Sequence, residues 1–141
     1  MHLIVCLDDN NGMAFNGRRH SRDRLLTRKI LETANGIPIW MSQYSSKMFL
    51  DAPEGAVIAD DEYLEKAGPH GFCFVETADL TSLQSQVSSV IVFRWNRVYP
   101  ADLWFPIDLM DGWKKYYSED FQGSSHDKIT KEMYIRNEEN E

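Results

Sequence analysis

A chain of 141 residues with 43% hydrophobic, 12% aromatic and 26% charged side chains is long enough to bury a core and too rich in aromatics to stay unfolded. Its net charge of −7, from 15 basic and 22 acidic residues, argues against a dedicated nucleic-acid coat protein. No apolar run approaches the ~20 residues that cross a bilayer, and Met1-His2 enters Leu3 with no cationic flank. The sequence thus predicts a soluble, cytoplasmic chain without a membrane partner. One domain is expected over 1–137, with a frayed acidic tail over 138–141. Cys6 and Cys73 each lie inside an apolar run and read as reduced core thiols.

Leu3-Ile4-Val5-Cys6-Leu7 is continuous and apolar, which suits a strand buried on both faces. Asn10-Asn11-Gly12 and Asn16-Gly17 are turn formers, so residues 8–20 read as a loop with a hairpin-like excursion. Ser21 is placed to cap a helix with Leu25, Leu26, Ile30, Leu31 and Ala34 on one face, ended by Asn35-Gly36. Ile37 to Met41 reads as a strand, and Ser45 to Leu50 as a short helix. Ala56 to Ala59 and Phe72 to Val75 are further strands on either side of an acidic helical turn. Leu80 to Val87 is a weak helix, and Val90 to Trp95 a fifth strand. Trp113 to Tyr117 and Ile129 to Arg136 read as an antiparallel pair joined at Gln122-Gly123-Ser124-Ser125. Early strands alternating with helices, then a late hairpin, indicate a mostly parallel α/β sheet finished by antiparallel strands.

These segments resemble the dihydrofolate reductase family. The first strand with Asp9-Asn10-Asn11-Gly12-Met13 and Asn16-Gly17 is similar to that family's first strand and the mobile loop that closes over substrate. The spacing from Asn16-Gly17 to Asn35-Gly36 fits its loop and helix before the second strand. Ala101-Asp102-Leu103-Trp104-Phe105-Pro106 resembles the segment leading to its Phe-Pro pair, and Trp113 with residues 129–136 its closing hairpin. The resemblance implies a mixed, mostly parallel sheet with a C-terminal antiparallel hairpin, shortened by one strand and one helix.

The departures from the family bear on activity. Leu26 stands where the resemblance calls for an acid that supports pterin protonation, and losing such a group costs about a hundred- to ten-thousand-fold in rate. Asp23, one turn earlier and flanked by Arg22 and Arg24, is expected in a surface ion pair. Ser42-Gln43-Tyr44-Ser45 stands in place of the family's cofactor-phosphate motif Gly-Arg-x-Thr. Aligned back from Phe105-Pro106, the glycine strand and helix that cradle the dinucleotide are missing. Aligned instead on Arg94-Trp95-Asn96-Arg97-Val98-Tyr99, Trp95 blocks the approach that glycine permits. Either way NADPH is disfavoured, and the expected cofactor is none. The chain also resembles short bacterial chains named ribonuclease Z. Such an enzyme needs a His-x-His-x-Asp-His zinc cluster, whereas His2, His20, His70 and His126 are scattered singly.

Six of the 15 basic residues, Arg18, Arg19, Arg22, Arg24, Arg28 and Lys29, fall between positions 18 and 29. With Ser21 at a helix start they suit a phosphate or carboxylate held by charge-assisted bonds; otherwise they form a solvated face. Ser124-Ser125-His126-Asp127-Lys128 is a second polar cluster, and the resemblance brings it near residues 10–20, with His126 and Asp127 toward Arg18 and Arg19. The candidate ligand-binding set is therefore Arg18, Arg19, Ser21, Arg24, His126, Asp127 and Lys128, with Asp23 and His126 as weak catalytic candidates. Arg94-Trp95-Asn96-Arg97 places an aromatic between cations, a pattern that can stack on a base, although a strand end with one buried indole is the favoured reading. The leading expectation is a binding protein without reductase activity, for a phosphate-bearing small molecule, a nucleic-acid end or a protein partner. The alternatives are a reductase or metal-independent phosphodiesterase of altered chemistry, and an acidic inhibitor or interaction module.

Overall fold

In the computed structural model, which describes residues 1–137, the first apolar run forms strand β1 (His2–Leu7). The expected acidic tail lies outside the described residues. Leu3, Ile4, Val5 and Leu7 are fully buried, as a strand covered on both faces requires. The loop excursion is a hairpin of β2 (Gly12–Phe15) and β3 (Arg18–Arg19). Asn16 and Gly17 turn it at φ 52° and 69°, the paired positive dihedrals of a two-residue hairpin.

Helix α1 (Arg24–Ala34) buries Leu26, Ile30 and Ala34, and Asn35 ends it in the left-handed conformation. Its start corrects the expectation. Asp23 and not Ser21 is the N-cap, because Asp23 directly precedes Arg24 and its carboxylate reaches the amides of Leu25 and Leu26.

Strand β4 (Ile39–Met41) leads into α2 (Gln43–Ser46), capped by Ser42, and a 3₁₀ turn over Lys47–Phe49. Strand β5 (Val57–Ala59), the turn of helix α3 (Tyr63–Lys66) and β6 (Phe72–Phe74) follow. Residues Thr81–Gln86 form a 3₁₀ helix in place of the weak α-helix expected over Leu80 to Val87, with Leu80 and Val87 buried at its ends and Leu83 packed against the same core. Strand β7 (Ser89–Arg94) is the fifth of the parallel set. The short β8 (Leu103–Trp104) had no sequence signal and pairs with β2. Of the closing pair, β10 (Ile129–Arg136) has the expected bounds and β9 (Trp113–Phe121) runs four residues past the expected Tyr117, with a register shift between Met133 and Tyr134.

The main sheet has the order β5-β4-β6-β1-β7-β10-β9, and β3-β2-β8 form a second small sheet. Strands β5, β4, β6, β1 and β7 run parallel, whereas β10 is antiparallel to β7 and to β9. The expected mixed sheet with a C-terminal antiparallel hairpin is what the chain forms. Alternation along β1 divides the core: Leu3, Val5 and Leu7 pack with Val90, Val92 and Cys73 on one face. On the other face Ile4 packs with Ile91, Phe93 and Phe74, beneath Leu26, Ile30 and Ala34 of α1. Among the described residues no helix is long and apolar enough to cross a membrane.

Candidate functional site

Open parallel sheets hold ligands beyond the carboxyl ends of their strands. Here β1, β6 and β7 run out into Asp8, Glu76 and Trp95, all buried. Two hydrogen-bonded clusters fill that region.

The first centres on Asp23. Its side chain is fully buried and is no surface ion pair, which corrects the expectation drawn from Arg22 and Arg24. Oδ1 accepts from the amides of Leu25 at 3.0 Å, Leu26 at 3.1 Å and Ser124 at 2.9 Å. Oδ2 accepts from the Ser125 amide at 2.8 Å and lies 3.0 Å from Nδ1 of His126. Burial opposes ionisation, but the amides of Ser125 and Ser124, the His126 ring and the Leu26 amide outweigh it. They hold the carboxyl far below the usual carboxylate range. Gly123 makes the loop's approach feasible, since a Cβ there would collide with the Asp23 carboxylate.

A carboxylate can only accept, so Nδ1 of His126 carries a proton. In the neutral ring, Nε2 is then an acceptor, and it lies 3.0 Å from Oγ of Ser21. Trp95 packs on the imidazole with ring centroids 4.7 Å apart. Ser21, His126 and Asp23 therefore form one continuous hydrogen-bonded chain. Ser21, half-buried, is its outer end.

The second cluster contains Arg19, whose Nε and Nη2 donate to Glu76 at 2.9 and 3.0 Å. Ser45 Oγ donates to the same carboxylate at 2.7 Å, and the guanidinium lies 4.2 Å above the Tyr44 ring. His20 stacks on Tyr99 with both ring nitrogens buried and unpartnered among the described residues. Burial, then the Glu76 charge, raises the Cys6 thiol well above its ordinary value. Two hollows remain between the clusters, each of about 10 Å³, one of them beside Leu26, enough for a single water at most.

An open groove lies on the other side of Asp23. It encloses about 440 Å³ and is lined by the cations Arg22, Arg24 and Lys47, with Thr27, Ser124 and Ser125, and by the anion Asp51. It continues along α1 past Arg28 into a hollow of about 470 Å³.

The candidate residues thus separate. Ser21, Asp23 and His126 meet, and Arg24 lines the groove. Arg19 is held by Glu76, and Arg18 is exposed on its hairpin. His126 faces Ser21 and Asp23 rather than Arg18 and Arg19, because its ring is turned inward onto Trp95. Asp127 and Lys128 are exposed, and Lys128 contributes only its carbonyl, to Asn96. Arg94-Trp95-Asn96-Arg97 is a strand end with a buried indole, the favoured reading of that stretch, and offers no stacking clamp, since Trp95 is buried and Arg94 pairs with Glu132 at 2.8 Å. Sequence reasoning missed Glu76 and Tyr44, which carry no local motif. It also missed Lys47, whose only signal was its place on the short helix after β4.

No family model matches the chain, and no curated protein matches it. Among solved structures, it is similar to the dihydrofolate reductase from Enterococcus faecalis complexed with NADP(H) and RAB-propyl. The identity is 12%, the TM-score 0.66, and the match covers 97% of this chain and 96% of that one. The fold is dihydrofolate-reductase-like, and the low identity accords with a divergent chain.

Proposed function

We propose that this chain keeps a dihydrofolate-reductase-like fold without NADPH-dependent reduction and works by holding a phosphate-bearing ligand in the groove of Arg22, Arg24 and Lys47. The observation that carries this reading is the contrast between two places. The space beside Leu26, where a pterin would need room and an acid, is closed to about 10 Å³, while the cation-lined groove beyond Asp23 is open at about 440 Å³. At Arg94 to Tyr99, the place the alternative alignment gives the dinucleotide's glycines, Trp95 is buried and packs on His126.

The amides at the start of α1 are not available to the ligand, because Asp23 occupies those of Leu25 and Leu26. Binding therefore rests on the guanidinium groups of Arg22 and Arg24 and the ammonium of Lys47, with the Ser124 hydroxyl, which accepts from the Arg24 amide, in reach of the same space. An isolated phosphate and the phosphorylated end of a nucleic acid share this chemistry. Calorimetric titration with inorganic pyrophosphate and with 5′-phosphorylated and unphosphorylated oligonucleotides tests it. The reading predicts saturable binding of the phosphorylated ligands, weakened at least tenfold by Arg24→Ala and by raised salt. Equal affinity for phosphorylated and unphosphorylated ends, or binding indifferent to Arg24→Ala, contradicts it.

A further inference from the structure

We infer that Ser21 is the nucleophile of an ester-hydrolysing site in which His126 is the general base and acid and Asp23 orients the imidazole. Three observations converge. The hydroxyl, the imidazole and the carboxylate stand in line, 3.0 Å from Ser21 Oγ to Nε2 and 3.0 Å from Nδ1 to Asp23 Oδ2, within the range at which a base takes a hydroxyl proton. The carboxylate is buried, held ionised and fixed by four amides, so it sets the ring's tautomer with Nε2 toward Ser21. The amides of Ser21 and Arg22 donate to no acceptor among the described residues, which leaves them free for an oxyanion forming on a carbonyl at Ser21. A cap for α1 needs only Asp23; it has no need of a histidine relaying to a half-buried hydroxyl.

The step balances without a redox partner. Oγ of Ser21 forms a bond to the acyl carbon as its proton passes to Nε2 of His126. The carbon–oxygen bond to the leaving group breaks, and that oxygen takes the proton from Nε2. Water then attacks the acyl-serine, giving a proton to Nε2 that returns to Ser21, and a carboxylic acid leaves. Ser21 borders the two small hollows, and only its neighbour Arg22 lines the basic groove; with a phosphate held at Arg22, the substrate class is a small carboxylic ester carrying that phosphate. That last point rests on the groove reading; the nucleophile does not.

The test treats the full chain with a neutral fluorophosphonate and maps the adduct by peptide mass. Expected is a single adduct on Ser21, absent in Ser21→Ala and formed at least about a hundredfold more slowly in His126→Gln. The exposed Ser82 and Ser85 should stay unlabelled in the same sample, which provides a control even if His126→Gln does not fold. No adduct on Ser21, or labelling of Ser82 and Ser85 at the same rate, overturns the nucleophile. Separately, a phosphate-bearing p-nitrophenyl ester should be hydrolysed at least tenfold faster than p-nitrophenyl acetate at low concentration. Equal rates overturn the substrate class alone, leaving Ser21 labelling in place and the groove reading to the calorimetric titration.

Discussion

Oδ2 of Asp23 and Nδ1 of His126 lie 3.0 Å apart although 103 positions separate them in the chain. The contact pins the loop of the last hairpin to the start of the first helix. The side chain that ends one element thus closes another, and stability and site geometry are coupled through one carboxylate.

Asp23→Ala removes the helix cap and leaves the amides of Ser124 and Ser125 without their acceptor. Loss of such a buried, charged partner costs about 3 kcal/mol, or roughly 10 °C in Tm for a chain of this size. Thermal unfolding followed by circular dichroism checks this. A loss below about 1 kcal/mol would show that the loop finds other partners.

Gly123 carries a distinct prediction. Because a Cβ at this position runs into the Asp23 carboxylate, Gly123→Ala should destabilise by about 1–3 kcal/mol and displace His126. Gly17→Ala is the comparison: its Cβ meets nothing, and only its positive φ of 69° opposes it. Chemical denaturation of both variants should show the larger loss at Gly123 if the Asp23 contact is as close as described.

Stability should fall with acid. Asp23, Asp8 and Glu132 all have carboxyls lowered in the folded chain, against burial, by amide hydrogen bonds at Asp23 and Asp8 and by Arg94 at Glu132. A lowered folded value means the unfolded chain binds more protons, so the stabilisation is complete above the unfolded value near ~4 and is lost as pH drops through the folded values. Denaturant midpoints should therefore hold from neutrality to about pH 5 and decline below it, less steeply in Asp23→Ala. A midpoint flat down to pH 3 contradicts the ionised Asp23.

The thiols should be silent in the native state. Burial raises Cys73 to about 11, and burial with the Glu76 charge raises Cys6, so neither is a thiolate at pH 8. A disulfide-exchange reagent should titrate both only after denaturation. Reaction of one thiol within the mixing time of the native protein would show that its strand opens.

The framework was legible wherever one residue type dictates one backbone state. The Leu3–Leu7 run, Asn16-Gly17 and Asn35-Gly36 each mark their element, and the alternation of β10 marks the closing strand. The 80–87 segment departs only in its winding: Leu80, Leu83 and Val87 do reach the core, but the turn between them is a 3₁₀ helix, which apolar spacing alone does not distinguish from an α-turn. At the site, Asp23 looked like a surface ion between two arginines because proximity in sequence favours that pairing. Its real partners are the amides of its own helix start and two amides more than 100 positions away. Ser21 and His126 were singled out separately, but only the folded chain turns His126 away from Arg18 and Arg19 and onto Ser21.

Trp95 sits between the closed space beside Leu26 and the His126 ring, so its indole N–H resonance reports on that space directly. Titrating labelled protein with NADPH and recording that resonance separates binding in the centre from phosphate contacts in the outer groove. The account predicts that the Trp95 signal stays in place while backbone signals near Arg24 and Lys47 move. A saturable shift of Trp95 with a one-to-one endpoint would mean the nicotinamide enters, and would contradict the account.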